Sequence, residues 1–120
     1  MLYYRFEVYD PNENAWYGLF SVYLLNDENM YKFLYSDCQS NFKRKMEVVN
    51  PRRYHVNYSK ECHCYFTPKG LEEFKDDVKF MLNLYEQENI KTRMIACPQQ
   101  QFKVPYEDQY QVVLADGEEI

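Results

Sequence analysis

Glycine is scarce in this chain, and the scarcity argues against several nucleotide-binding classes. Only 3 of the 120 residues are glycine, and neither the G-x-G-x-x-G pattern nor the G-x-x-x-x-G-K-S/T loop occurs. Both patterns need glycines because the backbone must approach a phosphate closely. We therefore do not expect the common glycine-loop folds that bind dinucleotides or nucleoside triphosphates.

Long hydrophobic runs are missing as well. No apolar stretch approaches the roughly 20 residues that a membrane span requires. The first ten residues, MLYYRFEVYD, lack the charged-then-apolar order of a secretory signal. We expect a cytoplasmic protein that does not enter a membrane. In that reducing compartment its 4 cysteines should be thiols rather than disulfides.

Positive charge is in deficit. The chain has 14 lysines and arginines against 19 acidic residues, which gives a formal net charge of −5. Nucleic acid is not expected as a general target, because binding to phosphates depends on a net basic surface. No catalytic signature and no cofactor motif stands out, so we predict a protein without enzymatic activity and without a cofactor.

Aromatic residues are abundant, with 13 tyrosines and 8 phenylalanines. They supply core material, and a chain of 120 residues buries well over half of its surface on folding. It therefore needs no disulfide or metal to form a core. We predict a single domain over residues 1–114 and a flexible acidic tail over 115–120.

Hydrophobic periodicity predicts the fold class. Alternating apolar and polar residues predict strands at 2–9, 16–25, 53–58, 62–66, 90–97 and 108–114. The first two segments flank the turn-forming sequence DPNEN, which is typical of a hairpin with a loop longer than two residues. The expected fold is α+β, with a mainly antiparallel sheet of about five to six strands and one long and one shorter helix packed on one face.

Two helices are predicted from apolar residues at helical spacing. The shorter one should span about residues 28–38 and the long one about 68–88. Thr67 is a good N-cap, Pro68 suits the first helical position, and Asn89 is a plausible left-handed stop. The segment between the shorter helix and Pro51 fits either a second short helix or a loop.

A dense cysteine and histidine cluster occurs in the segment KECHCYFTPKG. Cys62 and Cys64 would share one face of a strand, whereas His63 would lie on the other. A zinc site would need ligands from other predicted elements, and the candidates are Cys38, His55 and Cys97. The alternative is a core strand in which both cysteines act as small apolar side chains. No metal is favoured.

The strongest charge feature is the segment FKRKMEVVNPRR. Five cations against one Glu give a local charge of +4, which suggests either an anionic target or a solvated loop. Neighbouring aromatic and imidazole groups would help to bind a phosphate-bearing ligand. The candidate residues are Lys43, Arg44, Lys45, Arg52, Arg53, Tyr54 and His55.

The first hairpin carries a second candidate surface. Its outer face is expected to present Tyr3, Tyr9, Tyr17 and Tyr23, and tyrosine is favoured at interfaces because it gives a large contact area at low entropy cost. A codon-biased, AT-rich genome would also explain so many tyrosines. Both explanations stay open.

Together these features predict a small acidic module that binds another protein by contact. In general character it is similar to the accessory proteins that phages and mobile elements encode to inhibit host machinery. The predicted partner is a protein, and a second copy of the chain is one candidate. The alternatives are a binder of a small anionic ligand such as a nucleotide, through residues 43–55, and a zinc-stabilised domain built on Cys62 and Cys64.

Overall fold

The computed structural model describes residues 2–45, 62–98 and 106–115. They contain six strands: β1 Leu2–Asp10, β2 Ala15–Gly18, β3 Cys62–Phe66, β4 Thr92–Pro98, β5 Tyr106–Glu107 and β6 Gln111–Ala115. They also contain four α-helices: α1 Asp27–Leu34, α2 Asp37–Lys45, α3 Pro68–Glu73 and α4 Lys75–Gln87. A single 3-10 turn occupies Val22–Leu24. The predicted α+β class is confirmed.

The described strand pairs are antiparallel, as predicted. The contacts of the chain cluster into two compact units. The first unit includes residues 2–4, 62–73, 96–98 and 106–115, and the second includes residues 5–45 and 74–95. The single domain predicted over 1–114 stays a prediction.

In the first unit, β3 pairs with β6, and β6 also pairs with β5. The start of β1 joins this group, since Tyr4 pairs with Phe66. Val112, Val113 and Leu114 are all fully buried. Because successive side chains of a strand point to opposite faces, β6 is covered on both of its faces.

Thr67 links the end of β3 to the start of α3, as its predicted role as N-cap requires. Its hydroxyl accepts a hydrogen bond from the Gly70 amide at 3.0 Å and donates one to the Gln109 carbonyl at 2.8 Å. Its own amide donates to the Tyr110 carbonyl at 3.0 Å. The cap therefore fixes both the helix start and the strand β6 that follows Tyr110.

In the second unit, the rest of β1 forms a hairpin with β2, and residues 11–14 make the loop. The loop is longer than two residues, as predicted, and Asn14 adopts a left-handed φ of 49°. The predicted second strand over 16–25 is wrong beyond Gly18. The Gly18 carbonyl accepts a turn hydrogen bond from the Ser21 amide, and the 3-10 turn follows.

The shorter predicted helix, 28–38, is divided in two. Asn26 caps α1 by accepting a hydrogen bond from the Asn29 amide, but α1 ends at Leu34. Ser36 then begins a new helix, because its hydroxyl accepts from the Gln39 amide at 3.0 Å. The Ser36 hydroxyl offers the backbone a hydrogen bond in place of the regular backbone–backbone bond of the helix, as serine does at N-caps. The short-helix interpretation of the next segment is confirmed as far as Lys45.

The long predicted helix, 68–88, is interrupted for one residue. Phe74 separates α3 from α4, with φ and ψ of −103° and 15°. Its ring is buried and stacks on Phe42, with 5.0 Å between the ring centroids. After α4, Asn89 takes a φ of 57°, so the predicted left-handed stop is confirmed.

Several predictions fall at the margins of the described residues. The strand predicted over 53–58 lies outside them. Ala115 is the last residue of β6, and the rest of the predicted tail, 116–120, lies outside as well. Within the described ranges, the structure contains no helix long and apolar enough to cross a membrane.

Candidate protein-binding site

The register of the hairpin decides which aromatic residues share a face. Val8 pairs with Tyr17, and Tyr9 pairs with Trp16. Residues directly opposite each other on neighbouring strands lie on the same face of the sheet. Tyr9 and Trp16 therefore lie on one face, and Tyr17 lies on the other with Val8.

The four candidate tyrosines consequently do not form one surface. The prediction for Tyr3 is wrong, because that side chain is 1% exposed and belongs to the core. Tyr23 is exposed, and its ring lies against Tyr17 at a centroid distance of 6.2 Å. The Tyr23 hydroxyl donates to Asp10 Oδ2 at 3.2 Å. Of the four, Tyr9 is the one that shares its face with Trp16.

A buried carboxylate organises the Tyr9 face. Arg5 Nε donates to Glu7 Oε2 at 2.9 Å, and Arg93 Nε donates to Glu7 Oε1 at 2.9 Å. The Arg93 Nη2 atom also lies 2.7 Å from Glu7 Oε1. Burial alone would raise the pKa of Glu7, but the hydrogen bonds and charges of the two arginines outweigh it and lower this pKa. Glu7 is therefore ionised at neutral pH and holds both guanidinium groups in place.

Arg93 also stacks on Trp16. Its guanidinium carbon lies 4.1 Å from the centroid of the Trp16 ring, which is a cation–π contact. Trp16 in turn lies against Tyr9, with 5.2 Å between the centroids and an interplanar angle of 56°. The ion pair and the ring contact together restrict the Arg93 side chain, which still exposes 45% of its surface.

Lys91 extends the same arrangement along the hairpin. Its carbonyl accepts a hydrogen bond from the Tyr9 amide at 2.9 Å, and its ammonium lies 5.8 Å from the Tyr9 ring centroid. The Tyr9 hydroxyl donates to Asn14 Oδ1 in the hairpin loop. We call this surface the cation–aromatic face, and it consists of Arg5, Glu7, Tyr9, Trp16, Lys91 and Arg93.

The cation–aromatic face is positively charged although the protein is acidic. Its cations are Arg5, Lys91 and Arg93 and its carboxylate is Glu7, so three positive charges minus one negative charge leave +2. The chain as a whole has a charge of −5. In general, a basic region on an acidic protein attracts negatively charged groups.

Sequence analysis found Tyr9 and missed the other members of this face. Alternation along β1 already places Arg5, Glu7 and Tyr9 on one side of the strand, although Arg5 and Glu7 were not among the predicted site residues. Lys91 and Arg93 lie more than 80 positions further along the chain. No local pattern connects them with Trp16, and the pairing of β4 with β1 brings them to this face.

The predicted basic stretch is described as far as residue 45. Lys43, Arg44 and Lys45 form the last turn of α2 and are exposed. Arg44 Nη2 donates to Asn41 Oδ1 at 3.1 Å. Cations at a helix C-terminus stabilise the helix through its dipole, so these residues have a structural role without a ligand. The remaining candidates, Arg52, Arg53, Tyr54 and His55, lie outside the described residues.

The predicted cysteine ligands are divided among three elements: α2 contains Cys38, β3 contains Cys62 and Cys64, and β4 contains Cys97. Cys62 begins β3, and Cys64 is half-buried opposite Val113 of β6. Cys97 is buried in β4, and His55 lies outside the described residues. Across residues 2–45, 62–98 and 106–115, no group of three or more histidine, cysteine or acidic side chains is arranged to hold a metal ion.

A second exposed aromatic group lies at the end of α1. Tyr31 and Tyr35 are 62% and 74% exposed, and their ring centroids are 4.3 Å apart. Leu34, which stands between them in the sequence, is also exposed. The glutamate and lysine at positions i and i+4 of this helix, Glu28 and Lys32, balance each other, so this group lacks the net charge of the cation–aromatic face.

Comparison with protein families, with curated proteins and with solved structures gave no match to this chain. A functional assignment therefore depends on the geometry and chemistry of the surfaces described above. Among them, the cation–aromatic face combines a defined side-chain arrangement with a charge opposite to that of the protein.

Proposed function

We propose that this protein is a binding module that acts by direct contact with another protein, and that the cation–aromatic face makes the contact. The observation that carries the proposal is the position of Arg93. It stacks on Trp16 at 4.1 Å, pairs with buried Glu7 and still exposes 45% of its side chain. The proposal assigns no chemical reaction to the protein.

The composition of this face supports a role in protein recognition. Trp, Tyr and Arg are the residue types most enriched among those that contribute most to binding energy in protein interfaces. Here Trp16 contacts both Tyr9 and Arg93. Aromatic rings bury a large area, and the guanidinium adds directed hydrogen bonds.

The rigidity of the face supports the same role. Binding normally costs about 0.5–1.5 kcal/mol for each flexible side chain that becomes immobilised. Arg93 is already held by Glu7 and Trp16, and Tyr9 is held by Asn14 in the hairpin loop. A partner would meet side chains that have lost most of this freedom on folding.

Site-specific photo-crosslinking in the cells that make the protein tests the proposal. A benzophenone amino acid replaces Lys91, which is exposed beside Tyr9. The matched control places the same amino acid at Lys79, which is exposed on α4. We expect a discrete adduct with one protein at position 91 and none at position 79, because contact is confined to the cation–aromatic face.

A further variant places the crosslinker at Tyr35, on the exposed aromatic group of α1. A discrete adduct at position 35 together with none at position 91 would assign binding to α1 and refute the role of the cation–aromatic face. Equal, diffuse adducts at all three positions would show that no specific surface is used.

A further inference from the structure

Arg93 and Lys91 keep N–H donors that no acceptor among the described residues takes up. A guanidinium has five N–H donors, and Glu7 receives the Nε donor and one Nη2 contact of Arg93. Within the described ranges, Glu7 is the one carboxylate that pairs with Arg93, and no carboxylate pairs with the Lys91 ammonium. With respect to the part of the chain that the structure describes, hydrogen-bond donors of both groups are therefore left for a further acceptor.

The two cations lie on the same side of the chain. Lys91 and Arg93 are two positions apart, and each lies over an aromatic ring of the Tyr9–Trp16 pair. In extended backbone, two residues advance the chain by roughly 6.7 Å. An extended partner with acidic residues at alternate positions presents carboxylates on one side at that same interval.

We infer that the partner presents to this face an extended acidic segment with Asp or Glu at alternate positions, bound through carboxylates at Arg93 and Lys91. The inference rests on the proposed function and names the chemistry of the partner. The net charge of +2 on a protein of −5 supplies the complementarity. Carboxylates also suit the guanidinium, whose planar fork binds them in a bidentate manner.

The arrangement of Trp16 favours a carboxylate over a nucleobase. Arg93 covers one side of the indole ring at 4.1 Å, and Tyr9 lies tilted at 56° against it. A base would have to displace the guanidinium to stack on the side of the ring that Arg93 covers, and that guanidinium is also held by Glu7. A carboxylate binds the outer edge of Arg93 without disturbing either contact.

Intrinsic fluorescence of the full-length protein tests the inference directly, because Trp16 is the single tryptophan of the chain. The probe is an acetylated, amidated heptapeptide, Ser-Glu-Thr-Glu-Thr-Glu-Ser. The two control peptides replace every Glu by Gln or by Lys. We expect a saturable change in Trp16 fluorescence with the Glu peptide, at least about tenfold weaker binding of both controls, and weakening as salt is raised.

Matched protein variants show which residues bind the Glu peptide. Lys91→Gln should weaken binding of the Glu peptide about two- to fivefold, which is the range for one exposed ion pair. Lys79→Gln removes a charge of the same type from α4 and should leave binding unchanged. Arg93→Lys keeps the charge but loses the planar fork, so it should weaken binding more than Lys91→Gln does.

Three results would overturn the inference: no saturable binding of the Glu peptide, equal binding of the Glu and Gln peptides, or tighter binding of ATP or a short oligonucleotide than of the Glu peptide. These results are distinguishable from failure of the proposed function. A discrete crosslink at position 91 combined with equal binding of the Glu and Gln peptides would keep the contact surface and refute the acidic chemistry of its partner. Loss of the crosslink would refute the contact surface itself.

Discussion

Gly70 lies directly against the backbone carbonyl of Tyr110. A Cβ atom built on Gly70 would be 1.9 Å from the Tyr110 oxygen and 2.8 Å from its carbonyl carbon. Backbone atoms cannot move aside as a flexible side-chain end can. The first turn of α3 therefore approaches the residue before β6 as closely as it does because position 70 has no side chain.

We expect Gly70→Ala to destabilise the protein by about 3 kcal/mol, the upper end of the range for overpacking. The clash outweighs the roughly 1 kcal/mol by which alanine is the better helix former. Urea unfolding followed by circular dichroism measures the change. Gly18→Ala is the matched control, because the atoms nearest its Cβ belong to the Arg5 side chain, at 3.3 Å and beyond, and not to the backbone. Equal costs for the two variants would contradict this account.

Thr67 should contribute to stability through its hydroxyl. Thr67→Ala removes the bond from the Gly70 amide and the bond to the Gln109 carbonyl. We expect a loss of about 1–2 kcal/mol, as for other N-caps. Thr67→Ser keeps the hydroxyl and should recover most of that loss in the same denaturation experiment. A serine variant as unstable as the alanine variant would assign the effect to the methyl group instead.

Glu7 should make stability depend on pH in the acid range. Its folded-state pKa lies below its unfolded value of about 4.3. The stability that ionised Glu7 contributes is therefore fully present above its unfolded-state pKa. It is lost as the pH falls through the lower folded-state pKa.

Glu7→Gln removes the charge and keeps the shape, so it should cost about 1.5–3 kcal/mol at pH 7. The urea midpoints of the unchanged protein and of the Glu7→Gln variant should converge as the pH is lowered below 4. A difference that stays constant from pH 7 to pH 3 would contradict the ionised Glu7 described above.

Cys38 should react slowly with alkylating agents in the folded protein. Its side chain is buried, and this burial together with the negative charge of Asp77 raises its pKa to about 12. At pH 8 the reactive thiolate is therefore a very small fraction. Peptide mapping after a short iodoacetamide treatment should show Cys38 modified at least tenfold more slowly than in urea. Equal rates in the two conditions would contradict this environment.

Local signals in the sequence predicted a large part of the fold. The strand β3, the N-cap at Thr67, the stop at Asn89 and the α+β class follow from alternation, helical spacing and capping chemistry. Each of these depends on residues a few positions apart. The breaks at Ser36 and Phe74 were missed, because apolar spacing continues through both positions. At Ser36 the hydroxyl starts a second helix, and at Phe74 the ring stacks on Phe42.

By itself, the sequence determined most of the strands and helices, the N-cap at Thr67 and the acidic balance of this protein, because those features depend on neighbours in the chain. The tertiary structure alone decided that Tyr3 is core, that Tyr9 and Tyr17 lie on opposite faces, and that Arg93 stacks on Trp16. The physical reason is strand register. Pairing between distant segments selects which of two alternating faces meets a neighbour, and a period of two residues carries no information about that choice.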